Sequence, residues 1–269
     1  MKPAQIEDFK LAMRTSIENL LRSWWRKARA SVSYVGRREA GLAKRNETVR
    51  LTYPDGFWIE YEFGAKDGFE RLKFSGRTDV SLVREFFGFH QIPPTPENFQ
   101  RFFERYVFWL DDILLRSETA TCPGVWEFIH QLRKLSPAPV LCLLTGNIRL
   151  GAEIKLRHFD LWRVFQTGAF ADDHEERDQI AAIARRRGEQ ILQENLRDEQ
   201  VLVIGDTPLD IRCGRAIGAR VLAVATGGAG LDELKQHAPD YAVPGLNAVE
   251  VTRMIQDSDL AGSGIQTEK

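Results

Sequence analysis

The sequence contains few cysteines and no long apolar run. Its 269 residues include three cysteines, Cys122, Cys142 and Cys213, which are too scattered for a disulfide framework or a cysteine metal site. No apolar stretch approaches the roughly 20 residues that cross a bilayer, and residues 1–8 lack the apolar core of a secretion signal. These absences argue against a disulfide-rich secreted protein and a membrane-spanning one, and they predict a protein of the reducing cytoplasm.

The chain also carries almost no net charge, but its charges are unevenly placed. The formal net charge is −1, yet residues 1–50 hold twelve Lys and Arg against five Asp and Glu, so the basic surplus lies in the N-terminal fifth. With 43% hydrophobic and 28% charged residues, the composition is that of an ordinary globular protein. A chain of this length can bury one large core, or a core with a smaller inserted domain.

The first 63 residues show no pattern typical of a parallel strand. Over residues 6–30 the apolar side chains recur mostly at steps of three and four, which predicts an amphipathic helix within a basic N-terminal extension, residues 1–46. In residues 47–63, Pro54-Asp55-Gly56 separates two roughly alternating segments. This arrangement predicts a β-hairpin in place of a buried first strand.

The remainder of the chain is predicted to be helical at first and then to alternate between strand and helix. Residues 64–120 are rich in Phe and Arg with helical spacing, which predicts a small helical domain. Residues 121–256 predict an α/β fold with a doubly wound parallel sheet. The predicted strands are 140–144, 164–167, 201–204, 221–224 and 241–243. Residues 257–269 lack an apolar period and predict a disordered tail.

Two of the predicted strands end in polar residues whose chemistry suits a phosphate and a metal ion. Thr145-Gly146-Asn147 follows one strand, and Gly205-Asp206 with Asp210 follows another. The carboxyl ends of parallel strands lie at one edge of the sheet, where open α/β sheets bind their ligands. A hydroxyl, an amide and the N–H groups that start a helix suit an oxyanion, and paired aspartates suit Mg²⁺. Taken alone, each group is equally explained as a turn or a helix cap.

Taken together, these residues and several others resemble one protein family. They are Leu143-Leu144-Thr145-Gly146-Asn147, Lys155-Leu156, Gly168 through Asp173 with Arg177, Val203-Ile204-Gly205-Asp206-Thr207-Pro208-Leu209-Asp210-Ile211, Gly218-Ala219, and Val224 through Gly228. In them the chain resembles the haloacid-dehalogenase-like hydrolases, and most closely their phosphoglycolate-phosphatase-like branch. Phe74-Ser75-Gly76-Arg77-Thr78-Asp79 is similar to the start of that branch's helical cap, so the resemblance covers about residues 63–251.

The resemblance implies both a fold and a reaction. The fold would be a Rossmann-like core with an inserted helical cap over residues 64–120, and the reaction a Mg²⁺-dependent phosphatase reaction on a small phosphorylated metabolite. At the matching positions, the resemblance implies that Thr145 binds the transferring phosphoryl group. Gly146 and Asn147 would shape the loop around it.

The same resemblance implies roles for the charged residues. Asp206 and Asp210 would hold Mg²⁺. Arg177 would neutralise the charge of the phosphoryl group, with Lys155 as a second candidate for that role. Arg77 of the cap would face the leaving group of the substrate.

The chain departs from the family at the residues that would carry covalent chemistry. The family opens with a buried strand ending in Asp-x-Asp-Gly-Thr, whose first aspartate attacks phosphorus and whose second acts as acid and base, and this sequence contains no such motif. The nearest string is Tyr53-Pro54-Asp55-Gly56-Phe57. It retains Asp55 as an acid–base candidate, but it has Tyr at the position of the nucleophile.

Three interpretations of this departure stay open. In the first interpretation the N-terminal segment is aberrant, through loss of the first strand or a shifted reading frame upstream of about Phe63. Alternatively, the protein is a catalytically impaired relative that binds a phosphorylated ligand or a partner through Thr145, Asp206 and Asp210. In the third interpretation the basic helix around Trp24-Trp25 binds an anionic membrane or nucleic acid, against the structural alternative of a helix that packs its Trp face on the core.

Overall fold

A computed structural model describes three short strands within the first 56 residues, and then residues 57–65, 68–115, 120–252 and 254. The early strands are β1 (Leu11–Arg14), β2 (Val32–Val35) and β3 (Arg50–Tyr53). The later strands are β4 (Val140–Leu144), β5 (Thr167–Ala169), β6 (Val201–Gly205), β7 (Arg220–Val224) and β8 (Tyr241–Val243).

The helices fall into a group before β4 and a group between the later strands. The described helices are α1 (Phe57–Phe63), α2 (Asp79–Phe89), α3 (Pro96–Leu115), α4 (Val125–Arg133), α5 (Arg149–His158), α6 (Arg177–Leu192), α7 (Pro208–Ala216) and α8 (Leu231–Gln236). None of the helices in the described part of the chain is both long enough and apolar enough to cross a membrane.

Six strands form one parallel sheet in the order β5-β4-β1-β6-β7-β8. The predicted α/β class with a parallel sheet is therefore confirmed. Alternate residues of β4 enter different cores: Leu141 and Leu143 pack with α4, whereas Cys142 and Leu144 pack with α6. Because helices cover both faces, β4 and β6 are buried along their whole length, which is why the sequence shows them as continuous apolar runs.

The centre of the sheet is occupied by a strand that the sequence did not indicate. β1 pairs in parallel with both β4 and β6, and Arg14 is in register with Leu143 on one side and Ile204 on the other. The helix predicted over residues 6–30 is therefore wrong for residues 11–14, and the sheet does not lack its first strand. A place between two parallel strands supplies backbone hydrogen bonds on both sides, and this tertiary pairing outweighs the local helical period.

The predicted hairpin is also wrong in part. Arg50–Tyr53 is a strand, but its antiparallel partner is Val32–Val35 rather than the residues after Pro54. Phe57–Phe63 forms a helix instead, and Ile59 from that helix is buried in an aromatic core. Asp55 and the basic stretch around Trp24-Trp25 lie outside the described residues.

Phenylalanine builds the core of the helical segment between α1 and α3. Phe86 and Phe87 of α2 are fully buried and pack with Phe102 of α3, whose ring meets that of Phe87 edge to face at 5.9 Å between centroids. Such aromatic contacts add to the stability gained by apolar burial. α3 also packs against α5, so the helical segment is attached to the core close to the carboxyl edge of the sheet.

Most of the predicted elements beyond residue 121 agree with the structure to within one or two residues. The exception is the strand predicted at 164–167, because residues 162–164 form a 3₁₀ helix and β5 begins at Thr167. Val164 is buried in the core from the 3₁₀ turn. The apolar character of Val164 is therefore explained by its burial and not by membership of a strand.

Candidate phosphate and metal site

The ends of β4 and β6 bring polar side chains to the same edge of the sheet. Thr145 directly follows β4 and Asp206 directly follows β6, and these two strands flank β1. Both side chains are buried, with 2% of each residue exposed. A hydroxyl and a carboxylate at this depth require polar partners.

Asp210 holds together the loop that follows β6. Its Oδ2 accepts hydrogen bonds from the backbone N–H of Asp206 at 3.0 Å, the N–H of Thr207 at 2.9 Å and the hydroxyl of Thr207 at 2.8 Å. Thr207 is also the N-cap of α7, and Pro208 is the first helical residue. This reciprocal capping arrangement makes Asp210 a structural anchor of the loop that carries Asp206.

Arg177, the first residue of α6, extends its guanidinium into the same loop. The Arg177 side chain is 4% exposed, and its Nη2 donates to Oδ1 of Asp210 in a buried ion pair. Its Nη1 lies near the loop after β4, since a Cβ placed at Gly146 would be 3.1 Å from that nitrogen. The structure therefore brings Arg177, Asp210 and the Thr145 loop together. A guanidinium in this position suits charge-assisted hydrogen bonds to a phosphate.

The Thr145 loop is closed by its own hydrogen bonds. The Thr145 N–H donates to the Ala169 carbonyl at 3.2 Å, and Thr145 Oγ1 accepts the N–H of Asn147 at 3.2 Å. A hydroxyl that accepts in this way keeps its own proton for donation to another acceptor. Thr145 can therefore donate to a phosphate oxygen at the edge of the sheet.

The backbone amides at the start of α5 donate hydrogen bonds to carboxylates of the protein itself. The N–H of Ile148 donates to Asp79 Oδ2 at 2.9 Å, and the N–H of Arg149 donates to Asp172. The sequence predicted that amides of this kind would bind an oxyanion. At these two positions carboxylates of the chain accept the hydrogen bonds instead.

Lys155 lies behind the loop rather than beside Asp210. It is 1% exposed, its Nζ donates to Oδ1 of Asn147 at 3.1 Å, and the same nitrogen lies 5.7 Å from the centre of the Tyr106 ring. The structure thus separates the two basic residues that the sequence proposed for one role. Arg177 borders both polar loops, whereas Lys155 supports Asn147.

Asp79 is a polar residue of this region that the sequence did not single out. Its carboxylate accepts from the side-chain amide of Asn147 at 3.1 Å as well as from Ile148. Burial raises the pKa of Asp79, although the positive charge of Lys155 and the two hydrogen bonds oppose this shift. The available signal was Thr78-Asp79, a helix N-cap followed by an acidic residue, which predicts a helix start but not a contact with another loop.

The roles predicted for Arg77 and Asp55 stay predictions. Arg77 donates to Glu85 and to the Ser81 carbonyl at 3.1 Å, so its guanidinium is engaged by its own helix. A role for Arg77 at the leaving group requires exchange of these contacts for substrate contacts. Asp55, the acid–base candidate, lies outside the described residues.

The carboxylates fit Mg²⁺ when the substrate and water supply the remaining ligands. A Cβ at Gly227 would collide with Oδ2 of Asp206, so this glycine makes room for that carboxylate. Among the described residues no group of three or more His, Cys, Asp or Glu side chains is arranged to hold a metal ion. Mg²⁺ commonly takes one or two carboxylates with phosphate oxygens and waters. Asp206 is therefore the candidate direct ligand, and Asp210, with both oxygens engaged, supports it.

No carboxylate follows β1 at the spacing that covalent chemistry needs. The three residues after Arg14 are Thr15-Ser16-Ile17. The strand itself lies between β4 and β6, whose ends carry Thr145 and Asp206. A central strand is therefore present in the sheet, and the three residues that follow it contain no carboxylate.

These features define a class of protein. It is an α/β protein with a parallel sheet, a helical segment attached near the carboxyl edge of that sheet, and buried polar loops at two strand ends. The resemblance to the haloacid-dehalogenase-like hydrolases is confirmed, because residues 176–249 match the family model described as HAD-hydrolase-like. A search of curated proteins by sequence gave no significant match.

Solved structures of that superfamily share the fold. A haloacid-dehalogenase-like hydrolase from Streptococcus pneumoniae is similar with a TM-score of 0.54 and 14% identity, covering 89% of this chain and 96% of its own. A structure described as a predicted phosphoglycolate phosphatase from Haemophilus somnus has a TM-score of 0.53 and 14% identity, covering 90% and 96%. CbbY from Rhodobacter sphaeroides in complex with phosphate has a TM-score of 0.51 and 13% identity, covering 86% and 96%.

Proposed function

We propose that this protein binds the phosphate group of a small phosphorylated metabolite, together with Mg²⁺, at the carboxyl edge of its sheet. The observation that carries the proposal is the convergence of Thr145, Arg177 and the Asp206 loop beside the central strand. Arg177 links them, because it is paired with Asp210 and also borders Gly146. CbbY, which has the same fold, is described as a complex with phosphate, and that description agrees with the proposal.

Each residue has a distinct part in the proposed binding. Thr145 donates its hydroxyl proton to a phosphate oxygen, and Arg177 offsets the negative charge of the phosphate with its guanidinium. Asp206 holds Mg²⁺, and Asp210 keeps the Asp206 loop and Arg177 in place. The metal ion, when bound, polarises the phosphoryl oxygens and neutralises their charge.

We propose further that binding occurs with little turnover. Covalent phosphoryl transfer needs a nucleophile at the end of the central strand, and Thr15-Ser16-Ile17 supplies no carboxylate. Removing the nucleophile from an enzyme of this kind lowers its rate by roughly several powers of ten. On this proposal the protein is the catalytically impaired relative among the interpretations of the sequence.

A phosphatase with full turnover is the second candidate. The observation in its favour is that β1, the strand that would carry the nucleophile, is present at the centre of the sheet. On this proposal the substrate is a phosphomonoester such as phosphoglycolate, and another group of the chain performs the attack.

Titration calorimetry with inorganic phosphate, with and without Mg²⁺, tests the proposal directly. We expect the wild-type protein to bind phosphate more tightly when Mg²⁺ is present, and Asp206→Asn to lose that enhancement while it keeps its fold. Hydrolysis of a panel of phosphomonoesters is measured in parallel. Failure to bind phosphate would refute the proposed function, and rapid Mg²⁺-dependent hydrolysis that disappears in Asp206→Asn would establish the second candidate instead.

A further inference from the structure

Asp79 contacts three successive residues of the loop that follows β4. Its backbone N–H donates to the carbonyl of Gly146 at 2.7 Å. Its Oδ1 accepts from the side-chain amide of Asn147 at 3.1 Å, and its Oδ2 accepts from the backbone N–H of Ile148 at 2.9 Å. One residue of the helical segment therefore holds a complete turn of the core loop next to Thr145.

The position of Asp79 is itself set by contacts on both sides. Thr78, the N-cap of α2, accepts the N–H of Ser81 at 3.2 Å through its hydroxyl oxygen and donates its hydroxyl proton to the Glu175 carbonyl at 2.9 Å. Glu175 lies two residues before Arg177 in the chain. The start of α2 is thus attached to loop 145–148 and to the segment that leads into Arg177.

The backbone at Gly146 lies so close to the start of α2 that no side chain fits between them. A Cβ at Gly146 would lie 2.6 Å from the carbonyl oxygen of Arg77 and 3.0 Å from the Cα of Thr78. Real Cβ atoms do not make contacts of 2.6 Å. The glycine is therefore needed for the contact between segment 77–79 and the loop, and not only for the shape of the loop itself.

We propose that Asp79 is a positioning residue that holds the loop at 145–148 in the geometry that binds phosphate. This inference rests on the proposed function, since it concerns the same site. The acidic side chain is needed because two N–H donors converge on it from different residues, and a carboxylate offers one acceptor oxygen to each. The phosphate site is consequently complete only when the helical segment is seated on the core.

The Asp79→Asn variant tests the proposal with little change in shape. It keeps the backbone bond to Gly146 and one acceptor oxygen, but it turns an amide donor toward one of the two donors that the carboxylate accepts. A loop displaced by one lost hydrogen bond and one unsatisfied donor should bind inorganic phosphate about tenfold more weakly by calorimetry in the presence of Mg²⁺.

A matched control is available on the same helix. Arg84 of α2 forms an exposed salt bridge with Glu175 at 2.9 Å, so Arg84→Ala also removes a contact between the helical segment and the core but does not touch loop 145–148. Its phosphate affinity should stay within about twofold of wild type, because exposed ion pairs contribute little. Hydrogen exchange of the Ile148 amide provides a second readout, which should accelerate in Asp79→Asn and not in Arg84→Ala.

The outcomes distinguish this inference from the proposed function. Unchanged phosphate affinity in a folded Asp79→Asn protein, or equal weakening in both variants, overturns the positioning role while the proposed function stands. Absence of phosphate binding by the wild-type protein refutes the proposed function itself. A loss of affinity confined to Asp79→Asn, with faster exchange at Ile148, supports the inference.

Discussion

The buried pair of Arg177 and Asp210 connects the stability of the protein with its proposed ligand. Each side chain is at most 4% exposed, and Asp210 also accepts three hydrogen bonds from its own loop. Removing one member of such a pair leaves the other charge buried without its partner, which costs far more than breaking a surface pair. The same guanidinium is the positive group that borders the Thr145 loop. A substitution here should therefore affect folding and phosphate binding together.

Arg177→Met should lower the free energy of unfolding by roughly 3–5 kcal/mol, because it leaves the Asp210 carboxylate buried and unpaired. It should also abolish measurable phosphate binding. Urea denaturation and calorimetry measure the two effects. The control is Arg212→Met, which removes an exposed pair with Asp178 at 3.4 Å and should change stability by about 1 kcal/mol or less. Equal effects of the two substitutions would contradict the central role given to Arg177.

At the scale of elements, strand β1 decides whether the sheet is continuous. It pairs with β4 on one side and β6 on the other, so every backbone bond that joins the two halves of the sheet passes through Leu11–Arg14. Without it, β4 and β6 would each have an unpaired edge inside the sheet, which is a site for aggregation. This four-residue strand is therefore essential for the continuity of the sheet.

Ala12→Pro should prevent or strongly impair folding, because proline removes a backbone donor from a strand that is paired on both sides. We expect a loss of soluble protein, or a large fall in the thermal unfolding midpoint measured by circular dichroism. Leu51→Pro in β3 is the comparison, since that strand pairs with β2 alone in a separate two-stranded sheet. A larger effect of Leu51→Pro would contradict the central position of β1.

Elements with strong local signals were well predicted, and those without them were not. α7 begins at Pro208, where Thr207 and Pro208 are a typical N-cap and first residue. β6 is an apolar run that ends at a glycine, and a continuous apolar run is typical of a strand that is buried on both faces. β1 has neither signal. Leu11–Arg14 is compatible with a helix, and pairing with strands more than 120 residues away decides its conformation.

At the scale of the whole molecule, the fold is shared with solved structures such as a haloacid-dehalogenase-like hydrolase at 14% identity. The six-stranded parallel sheet, the helical segment and the polar loops at 145–147 and 206–210 are all present among the described residues. The residues directly after β1 are Thr15-Ser16-Ile17, and none of them is a carboxylate. Adding two carboxylate side chains after β1 should therefore change the hydrolytic activity more than any substitution in the core.

Thr15→Asp combined with Ile17→Asp should introduce Mg²⁺-dependent hydrolysis of p-nitrophenyl phosphate, because it places a nucleophile and an acid–base group two residues apart directly after the central strand. We expect a rate at least about a hundredfold above that of the wild-type protein. The same double variant with Asp206→Asn should lose the gain. If the double variant binds phosphate but gains no activity, the residues after β1 do not reach the bound phosphate.

The sequence by itself determined the parallel α/β core beyond residue 121 and pointed to Thr145, Arg177, Asp206 and Asp210. The core and the residues Thr145, Asp206 and Asp210 follow from local patterns, namely apolar runs for buried strands and polar residues where such strands end, whereas Arg177 was implied by the family resemblance. The tertiary structure alone decided that residues 11–14 fill the centre of the sheet, that Lys155 lies behind Asn147, and that Asp79 holds the loop beside Thr145. Each of these depends on contacts between residues far apart in the chain, and such contacts leave no periodic pattern in the sequence.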